Sequence, residues 1–573
     1  MATIALPLAR RRVLLLRELP YWAISALVVI LVGYPIVIVV LGSFLIGRPG
    51  ETAWSLEPWR TALSDPTLLI SIWNTILVTA ARQAIAFPIA ILIAWTLART
   101  DIPGATWLEF LFWMAFFLPA LPVTLGWVML LHPNSGLLNQ LVLTIFPSLE
   151  KGPFNIYSFW GIVWAHLASG TIAVKVMLLT PAFRNLDASL EEASHICGAN
   201  TLMTLFRVVI PVMTPTLMVV LLLSVIYSLQ AFELELILGA PFRFQVFSTQ
   251  IYLLLHQDPP QFPTAMALST MVLGVMLPLL VAQRWIITHR SYAVVGSRFR
   301  ANRLRLRRWR LPIFCLVLAA ALVLTVIPFV FLLMATFMKL FGFFNVPQPW
   351  TFTHWERVLS DAVFLTSVRN TLALAGGTAV GGVLLYIVIA YISMRTHFTG
   401  RVILDVVSWL PSTLPGIILG LGLLSLFLGS PLRPLYGTIL LMTLAMIVVS
   451  MPVGVQVLKS SLVQLGAELE EAARVSGAPW WHAFRHIVLP IIAPTVLLVA
   501  AVSFITAARN VSAVALLATG ATRPLSLLQL DLMFEGRYEA AAVVGVVVVV
   551  LTTGVALTAR LLGLRGGLED VSG

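Results

Sequence analysis

The sequence predicts an all-α polytopic membrane protein with twelve transmembrane helices in two parallel six-helix units. Hydrophobic residues make up 59% of the 573 residues and charged residues only 10%, whereas a soluble protein carries roughly 25% charged residues. Long apolar runs recur along the whole chain, and one polar segment occurs twice, 279 residues apart. Apolar runs indicate membrane spans, and the repeated segment indicates duplication of one membrane unit.

Twelve runs are long and apolar enough to span, since a transmembrane helix needs about 20 mostly apolar residues. Lipid permits only helices and closed barrels, and these lengths suit helices. The first run is too long for a signal peptide, so we predict a retained span. The first six runs lie near 22–46, 72–97, 108–131, 158–180, 216–239 and 264–287. The other six lie near 312–338, 370–394, 403–428, 437–457, 495–518 and 538–562.

The positive charges predict the orientation of these spans. Most Lys and Arg residues fall on one side of the arrangement, and an arginine cluster between Arg284 and Arg310 contains no acid. Such a bias marks cytoplasmic loops. We therefore predict a multi-pass protein of the bacterial plasma (inner) membrane with both termini cytoplasmic. The net charge of +12 then reflects topology and contacts with membrane lipid, and no nucleic-acid partner is predicted.

The duplication predicts where the two units begin and end. WNTILVTA from Trp73 matches RNTLALAG from Arg369, and LPALPVTLG from Leu118 resembles LPSTLPGIILG from Leu410. We predict a first unit at 1–290, an Arg-rich cytoplasmic linker at 291–311 and a second unit at 312–573. Six spans per unit give both units the same orientation, which makes the repeat parallel.

Two polar segments lie between the fourth and fifth spans of the two units. The first polar repeat (189–211) contains EEASHICGANTLMTLFRVVIP, and the second polar repeat (468–490) contains EEAARVSGAPWWHAFRHIVLP. Ser189 with Glu192 matches a capping box, and Gly198 suits a left-handed helix C-cap. Pro211 and Pro490 are expected to end a second short helix. We expect a helix–bend–helix that presents one face to a partner, with a plain amphipathic loop as the alternative.

The second polar repeat resembles the EAA signature of type I, binding-protein-dependent ATP-binding-cassette importer permeases. Its matching residues are Glu471, Ala472, Gly477 and Pro490. In the first polar repeat Glu192, Ala193, Gly198 and Pro211 match, while Ser194 replaces the third motif residue. The resemblance extends over nearly the whole chain and is to fused, double-unit permease subunits, most closely to the ferric iron and thiamine group.

This resemblance implies specific partners. The motif would form a coupling helix that docks on a cytoplasmic ATPase subunit, so one fused chain would bind two ATPase copies. An extracytoplasmic solute-binding protein would deliver the cargo. The chain contains no G-x-x-x-x-G-K-[ST] phosphate loop, so nucleotide binding by that route requires a separate subunit. We accordingly predict a transport subunit, not an enzyme, with no cofactor, no metal site and no catalytic constellation.

Charged residues near the fifth spans are candidates for the translocation path. An ionised side chain costs about 2.5–3.5 kcal/mol at the centre of a span, and by the resemblance the fifth spans line the path. Glu233 and Glu235 lie near the outer end of one fifth span, and Arg509 and Asn510 stand at the same place in the other. One of the two glutamates is expected to face the path. Simple contact with headgroup water is the alternative.

The nature of the cargo stays open at this level. Resemblance of FELELILGAPFRFQVFSTQIYLLLHQDPP, from Phe232, to the iron group favours ferric iron. Acids near the path suit a hard cation, but thiamine and polyamines are equally compatible, and Arg509 would suit an anion such as a phosphonate. A secondary transporter is the alternative class. His166 and His256 are expected to be packing or loop residues.

Overall fold

The computed structural model describes residues 8–47, 53–289, 304–343, 346–466 and 468–565. Most of the predicted Arg-rich linker, residues 291–303, lies outside these described residues. The described secondary structure is helical, mostly α with short 3-10 and π-helical turns, together with one short antiparallel pair, β1 (Leu45–Ile46) and β2 (Ala53–Trp54). The predicted all-α class is confirmed.

The helices run in the following order. Those before the linker are α1 (Leu8–Gly42), α2 (Glu57–Ser64), α3 (Pro66–Arg99), α4 (Ala105–Phe117), α5 (Ala120–Leu131), α6 (Leu137–Ile145), α7 (Phe159–His166), α8 (Ile172–Arg184), α9 (Ala188–Ile196), α10 (Thr201–Thr204), α11 (Ile210–Leu229), α12 (Glu233–Gly239), α13 (Phe247–Leu255) and α14 (Phe262–His289). Those after it are α15 (Arg310–Phe337), α16 (Thr353–Ser360), α17 (Ala362–Arg395), α18 (Arg401–Trp409), α19 (Gly416–Leu428), α20 (Ile439–Gln464), α21 (Glu468–Val475), α22 (Trp480–Ala483), α23 (Leu489–Arg509), α24 (Leu525–Phe534) and α25 (Tyr538–Arg565).

Ten helices within the described residues are long and apolar enough to cross a membrane. Two further pairs of helices, α4 with α5 and α18 with α19, each qualify as one bent span. Counted in this way, the described residues contain up to twelve spans. The pairs bend by 101° and 112°. The apolar runs predicted near 108–131 and 403–428 are therefore each broken by a bend. Pro119 and Pro415 lie at the breaks, where proline cannot continue the helix that precedes it.

The described residues group into two compact units. The larger unit contains residues 59–365 and 526–553, and the smaller unit contains residues up to 58, 366–525 and those from 554 onward. Within the larger unit, α15 packs against α4 and α5. Within the smaller unit, α1 packs against α18 and α19. The first helix after the linker thus packs with helices before it, and α1 packs with helices after it, so packing units and sequence segments differ. The sequence boundaries at 290 and 312 stay a prediction.

The second spans, α3 and α17, are built alike. Each has 34 residues, a length of roughly 51 Å at 1.5 Å per residue, which exceeds a hydrocarbon core of about 30 Å. Asp65 caps α3 by accepting from the Thr67 amide at 2.8 Å. Asp361 likewise accepts from the amide of Val363 at 2.8 Å. Each helix ends in an arginine, Arg99 in α3 and Arg395 in α17.

An Asn-Thr pair occurs near the start of both α3 and α17, and its threonine accepts an equivalent hydrogen bond in each unit. In the larger unit the Thr75 hydroxyl accepts from the Phe247 amide at 3.1 Å, at the start of α13. In the smaller unit the Thr371 hydroxyl accepts from the Leu525 amide at 2.8 Å. These matching contacts explain why the sequence similarity extends beyond the polar repeats.

Candidate functional site

The first polar repeat forms a helix, a left-handed turn and a second helix. Helix α9 is capped by Asp187, whose carboxylate accepts from the Ser189 amide at 3.0 Å. The predicted cap at Ser189 was therefore wrong by two residues, because the aspartate carboxylate precedes it and takes the free amide. At the other end Gly198 has φ = +86°, as predicted. The Ala199 amide donates to the Ser194 carbonyl at 3.1 Å, which completes a Schellman motif.

The second polar repeat has the same turn. Gly477 has φ = +84°, and its amide donates to the Arg474 carbonyl at 3.0 Å. The Ala478 amide donates to the Ala473 carbonyl at 3.0 Å. A left-handed glycine ends both α9 and α21, so two segments 279 residues apart share one backbone design.

The expectation that Pro211 and Pro490 end the second helix was wrong. One continuous helix runs over Thr201–Leu229, and another over Trp480–Arg509. Each passes through a π-helical turn, Leu205–Val209 or Phe484–Val488, directly before the proline. The wider turn accommodates a ring that lacks an amide and crowds the preceding carbonyls. Each polar repeat is therefore continuous with the fifth span of its half.

A buried ion pair joins the first polar repeat to α3. Arg99, the last residue of α3, donates from Nη2 to Oε2 of Glu191 at 2.8 Å and from Nε to both carboxylate oxygens at 3.2 Å. Its Nη1 donates to the Leu186 carbonyl at 3.1 Å. The two side chains are 3% and 11% exposed. Such two-point, charge-assisted contacts fix orientation as well as distance.

The equivalent acid in the second polar repeat, Glu470, has an ion-pair contact with an arginine and a hydrogen bond from a tyrosine. Arg395, the last residue of α17, places Nε 3.1 Å from Oε1 of Glu470. Tyr391 donates its hydroxyl to Oε2 of Glu470 at 2.8 Å, and Trp480 donates from Nε1 to the Tyr391 hydroxyl at 2.7 Å. The same acid of each repeat is thus paired with the final arginine of a second span.

Sequence reasoning selected the neighbouring acids and missed these pairs. Glu192 and Glu471 are exposed, whereas the preceding glutamates are buried. The sequence does contain a signal for these pairs, since an Arg-Thr dipeptide occurs at the end of both second spans, each time with a glycine four residues after the threonine. Without a fold, nothing indicated that these arginines meet the polar repeats.

The exposed face of each repeat carries large apolar side chains. Ile196 and Val475, at matching positions before the turn, are 86% and 89% exposed. Phe206 in the first repeat and Trp481 in the second are 59% and 58% exposed. Exposed apolar and aromatic residues around a rigid turn are suited to a protein interface. Ala193 and Ala472 are exposed on the same helices.

The four candidate path residues lie in α12 and at the end of α23. Glu235 lies in α12 and is 1% exposed, because its Oε1 is 2.6 Å from Nε2 of His166. Glu233 begins the same short helix. Arg509 ends α23, and Asn510 follows it and accepts from the Ala513 amide at 2.9 Å. That one of the glutamates faces a path stays a prediction, since Glu235 here faces a histidine.

His166 is part of a buried polar cluster in the larger unit, formed by His166, Glu235, Arg82 and Lys175. Arg82 donates to the Thr171 hydroxyl at 3.2 Å, and Lys175 donates to the Thr171 carbonyl at 3.0 Å. A π-helical break at Leu167–Thr171 adjoins His166. Two buried cations and one buried carboxylate are costly in a membrane protein and are therefore functional candidates.

No group of three or more His, Cys, Asp or Glu residues within the described part of the chain is placed to hold a metal ion. Cys197 and Cys315 are both exposed.

Ten to twelve helical spans within the described residues, two Schellman turns and two buried acid–arginine pairs describe a polytopic helical membrane protein whose two polar repeats share one design. Residues 382–565 match the family described as binding-protein-dependent transport system inner membrane component. The sulfate transport system permease protein of Escherichia coli is 30% identical over 210 residues, which are 34% of this chain and 74% of that protein. The chain belongs to the family of binding-protein-dependent transport system inner membrane components.

Two further relatives align over more of the chain. The ferric transport system permease protein of Actinobacillus pleuropneumoniae is 27% identical over 444 residues, 77% of this chain. A putative ferric transport system permease protein of Haemophilus influenzae is 29% identical over 419 residues, 71% of this chain. The chain spans 63% of the length of each of these two relatives.

Proposed function

We propose that the chain is the membrane-spanning permease subunit of an ATP-binding-cassette importer. The observation that carries this proposal is the pair of polar repeats, each with a left-handed glycine turn, an exposed apolar tip and a buried acid paired with a second span. One chain would therefore offer docking sites for two cytoplasmic ATPase subunits. An extracytoplasmic binding protein would supply the solute, in keeping with the description of the family.

The docking residues in this proposal are those of the motif. Glu192, Ala193, Gly198 and Pro211 serve the first ATPase, and Glu471, Ala472, Gly477 and Pro490 serve the second. Because the buried acids beside them hold α3 and α17, displacement of a docked repeat moves a second span with it. Because each repeat continues into α11 or α23, the same displacement also reaches a fifth span. Closure of the ATPase subunits on ATP would therefore move the second and fifth spans.

The orientation follows from the same proposal. Both polar repeats lie on the cytoplasmic side, where ATP is present, and this requires cytoplasmic N- and C-termini for twelve spans. The membrane is the bacterial plasma membrane.

Ferric iron is the cargo that we propose. The two ferric relatives align with 77% and 71% of this chain, against 34% for the sulfate relative. An oxyanion is the second candidate. It is favoured by the two buried cations, Arg82 and Lys175, and by the 30% identity to a sulfate permease.

Uptake in cells would test coupling and cargo together. The intact protein is compared with a triple variant, Glu192→Ala, Glu471→Ala and Gly477→Pro, and with Glu468→Ala as a matched control. Labelled ferric iron and labelled sulfate are offered in parallel, with thiamine, a polyamine and a phosphonate as competitors. We expect iron uptake to fall at least tenfold in the triple variant and to be unchanged in the control.

The alternatives give different results. If the triple variant lost sulfate uptake and kept normal iron uptake, the proposed permease would stand, with sulfate instead of iron as its cargo. A secondary transporter would be indicated instead by a solute whose uptake is unchanged in the triple variant but is lost when the ion gradient is dissipated. Normal uptake of every solute in the triple variant, at normal expression, would reject ATP coupling through these repeats.

A further inference from the structure

Two histidines lie one helical turn apart on the second polar repeat. His482 is in α22, and His486 is in the π-helical turn that follows. Both side chains are exposed. Their rings are parallel within 24°, and the ring centroids are 4.1 Å apart. The two imidazoles therefore already share one face of the helix.

The hydrogen bond of His486 selects its tautomer. Nδ1 of His486 is 3.1 Å from the carbonyl oxygen of His482. A carbonyl only accepts, so Nδ1 carries the proton, and in the neutral ring Nε2 has the free lone pair. A backbone carbonyl that holds one ring nitrogen of a histidine is the usual outer support of a metal-binding imidazole.

We propose that His482 and His486 form a binding site for a divalent late first-row transition metal ion, with Zn²⁺ as the reference ion. Two histidines at i and i+4 on one helix face form the zinc-binding pair of H-E-x-x-H helices. Imidazole favours Zn²⁺, Cu²⁺ and Ni²⁺, whereas Mg²⁺ and Ca²⁺ favour oxygen ligands. With two protein ligands, the other coordination positions are open to water or to a donor on a docked protein.

The site is restricted to one of the two repeats. The matching positions in the first polar repeat, 279 residues earlier, are Met203 and Arg207. Methionine is a soft and weak ligand for Zn²⁺, and an arginine cation repels it. A metal ion would therefore act on one docking element and leave the other unchanged.

The consequence for regulation rests on the proposed function. Trp481, beside His482, is 58% exposed on the docking face. A metal ion held there adds two positive charges to this face and fixes two side chains that an ATPase would contact. Cytoplasmic transition metal would then reduce coupling through the second repeat.

Calorimetry on the purified full-length chain in detergent micelles tests the site. Zn²⁺ is titrated into the wild type, His482→Ala, His486→Ala and the double variant, with Mg²⁺ as the control ion. His256→Ala is the matched control, because His256 stacks on Tyr252 four residues earlier at 4.0 Å and has the same Nδ1–carbonyl contact at 2.8 Å. Tyrosine replaces the second imidazole there, so that pair should not bind Zn²⁺.

We expect one Zn²⁺ per chain, at least tenfold weaker binding in each single variant and unchanged binding in His256→Ala. Zn²⁺ binding that is the same in the double variant, or half a Zn²⁺ per chain with dimerisation, would overturn the site. In a complex with its ATPase, Zn²⁺ should inhibit ATP hydrolysis by the wild type but not by the double variant. An ATPase that never responds to the chain, while Zn²⁺ still binds, would reject the proposed function and not the metal site.

Discussion

Replacing Glu191 by alanine should lower the free energy of unfolding by about 3 kcal/mol, the lower end of the 3–5 kcal/mol typical of a buried ion pair that loses one partner. The guanidinium of Arg99 is 3% exposed and donates to both oxygens of this carboxylate. Without Glu191 the cation stays buried and uncompensated. It keeps one contact, from Nη1 to the Leu186 carbonyl at 3.1 Å, and for this reason we place the loss at the lower end.

The second half provides a graded comparison. The side chain of Arg395 is 14% exposed and also donates to the carbonyls of Leu462 and Leu465. Glu470→Ala should therefore cost less, about 1.5–3 kcal/mol, as for one lost hydrogen bond to a charged group. Glu192→Ala removes an exposed acid from the same helix as Glu191 and should stay within about 0.5 kcal/mol of the wild type.

Unfolding of the purified chain by SDS titration in mixed micelles measures these differences. A double-mutant cycle with Arg99→Met isolates the pair, and we expect a coupling energy of about 1–3 kcal/mol between Arg99 and Glu191. If Glu191→Ala and Glu192→Ala had equal unfolding free energies, the ion pair would contribute nothing and the argument would fail. The same variants assayed for cargo-stimulated ATP hydrolysis show whether a loosened repeat still transmits movement.

Three further predictions use the same measurement. Gly477→Ala should lower the free energy of unfolding by about 1–2 kcal/mol, because alanine is strained at φ = +84°. An added Cβ would meet open space, so no clash adds to this loss. Equal stability of variant and wild type would show that the turn relaxes. Lys175→Met should leave the free energy of unfolding unchanged or raise it by about 1–4 kcal/mol, since it removes a buried cation. A large loss of stability would mean that the ammonium group has a stronger partner than one carbonyl. His132 accepts from the Asn134 and Ser135 amides through Nδ1 at 3.3 and 3.2 Å, and burial lowers its pKa from 6.5. The unfolded chain therefore takes up the proton first, so this contribution is present above about pH 6.5 and is lost as the pH falls below it; His132→Asn should flatten that decline, and an unchanged pH profile would contradict the assignment.

The spans and the glycine turns were predictable because they depend on local chemistry. Twenty apolar residues must form a helix in lipid, and a glycine after a short polar helix takes the left-handed conformation at little cost. The count of twelve follows from composition alone when each bent pair is one span. The bends themselves were readable in principle from Pro119 and Pro415, but hydropathy averages over a break and does not register its angle.

The ion pairs and the buried histidine were not predictable, because they depend on contacts between distant helices. Arg99 and Glu191 are separated by 92 residues, and His166 and Glu235 by 69. Residue type alone left Glu235 as a candidate for the path or for headgroup water, and His166 as a packing or loop residue. The contact between them was missed because neither sequence position indicates its partner. The π-helical turns were missed for a different reason, since Pro211 and Pro490 were expected to end a helix rather than to follow a wider turn within one.

The two halves have kept their polar repeats alike while their membrane interiors have diverged. The positions that match Arg82, His166, Lys175 and Glu235 in the second half are Thr378, Ala445, Gly454 and Val514. The space is filled differently there: a Cβ on Gly454 would lie 2.3 Å from the ring of Tyr386, whose hydroxyl donates to the Ile447 carbonyl at 2.6 Å. Under the proposed function, two ATPase subunits need two similar docking elements, which agrees with the likeness of the two polar repeats. A single solute needs one polar site within the membrane, so variants that disturb recognition should map to the first half.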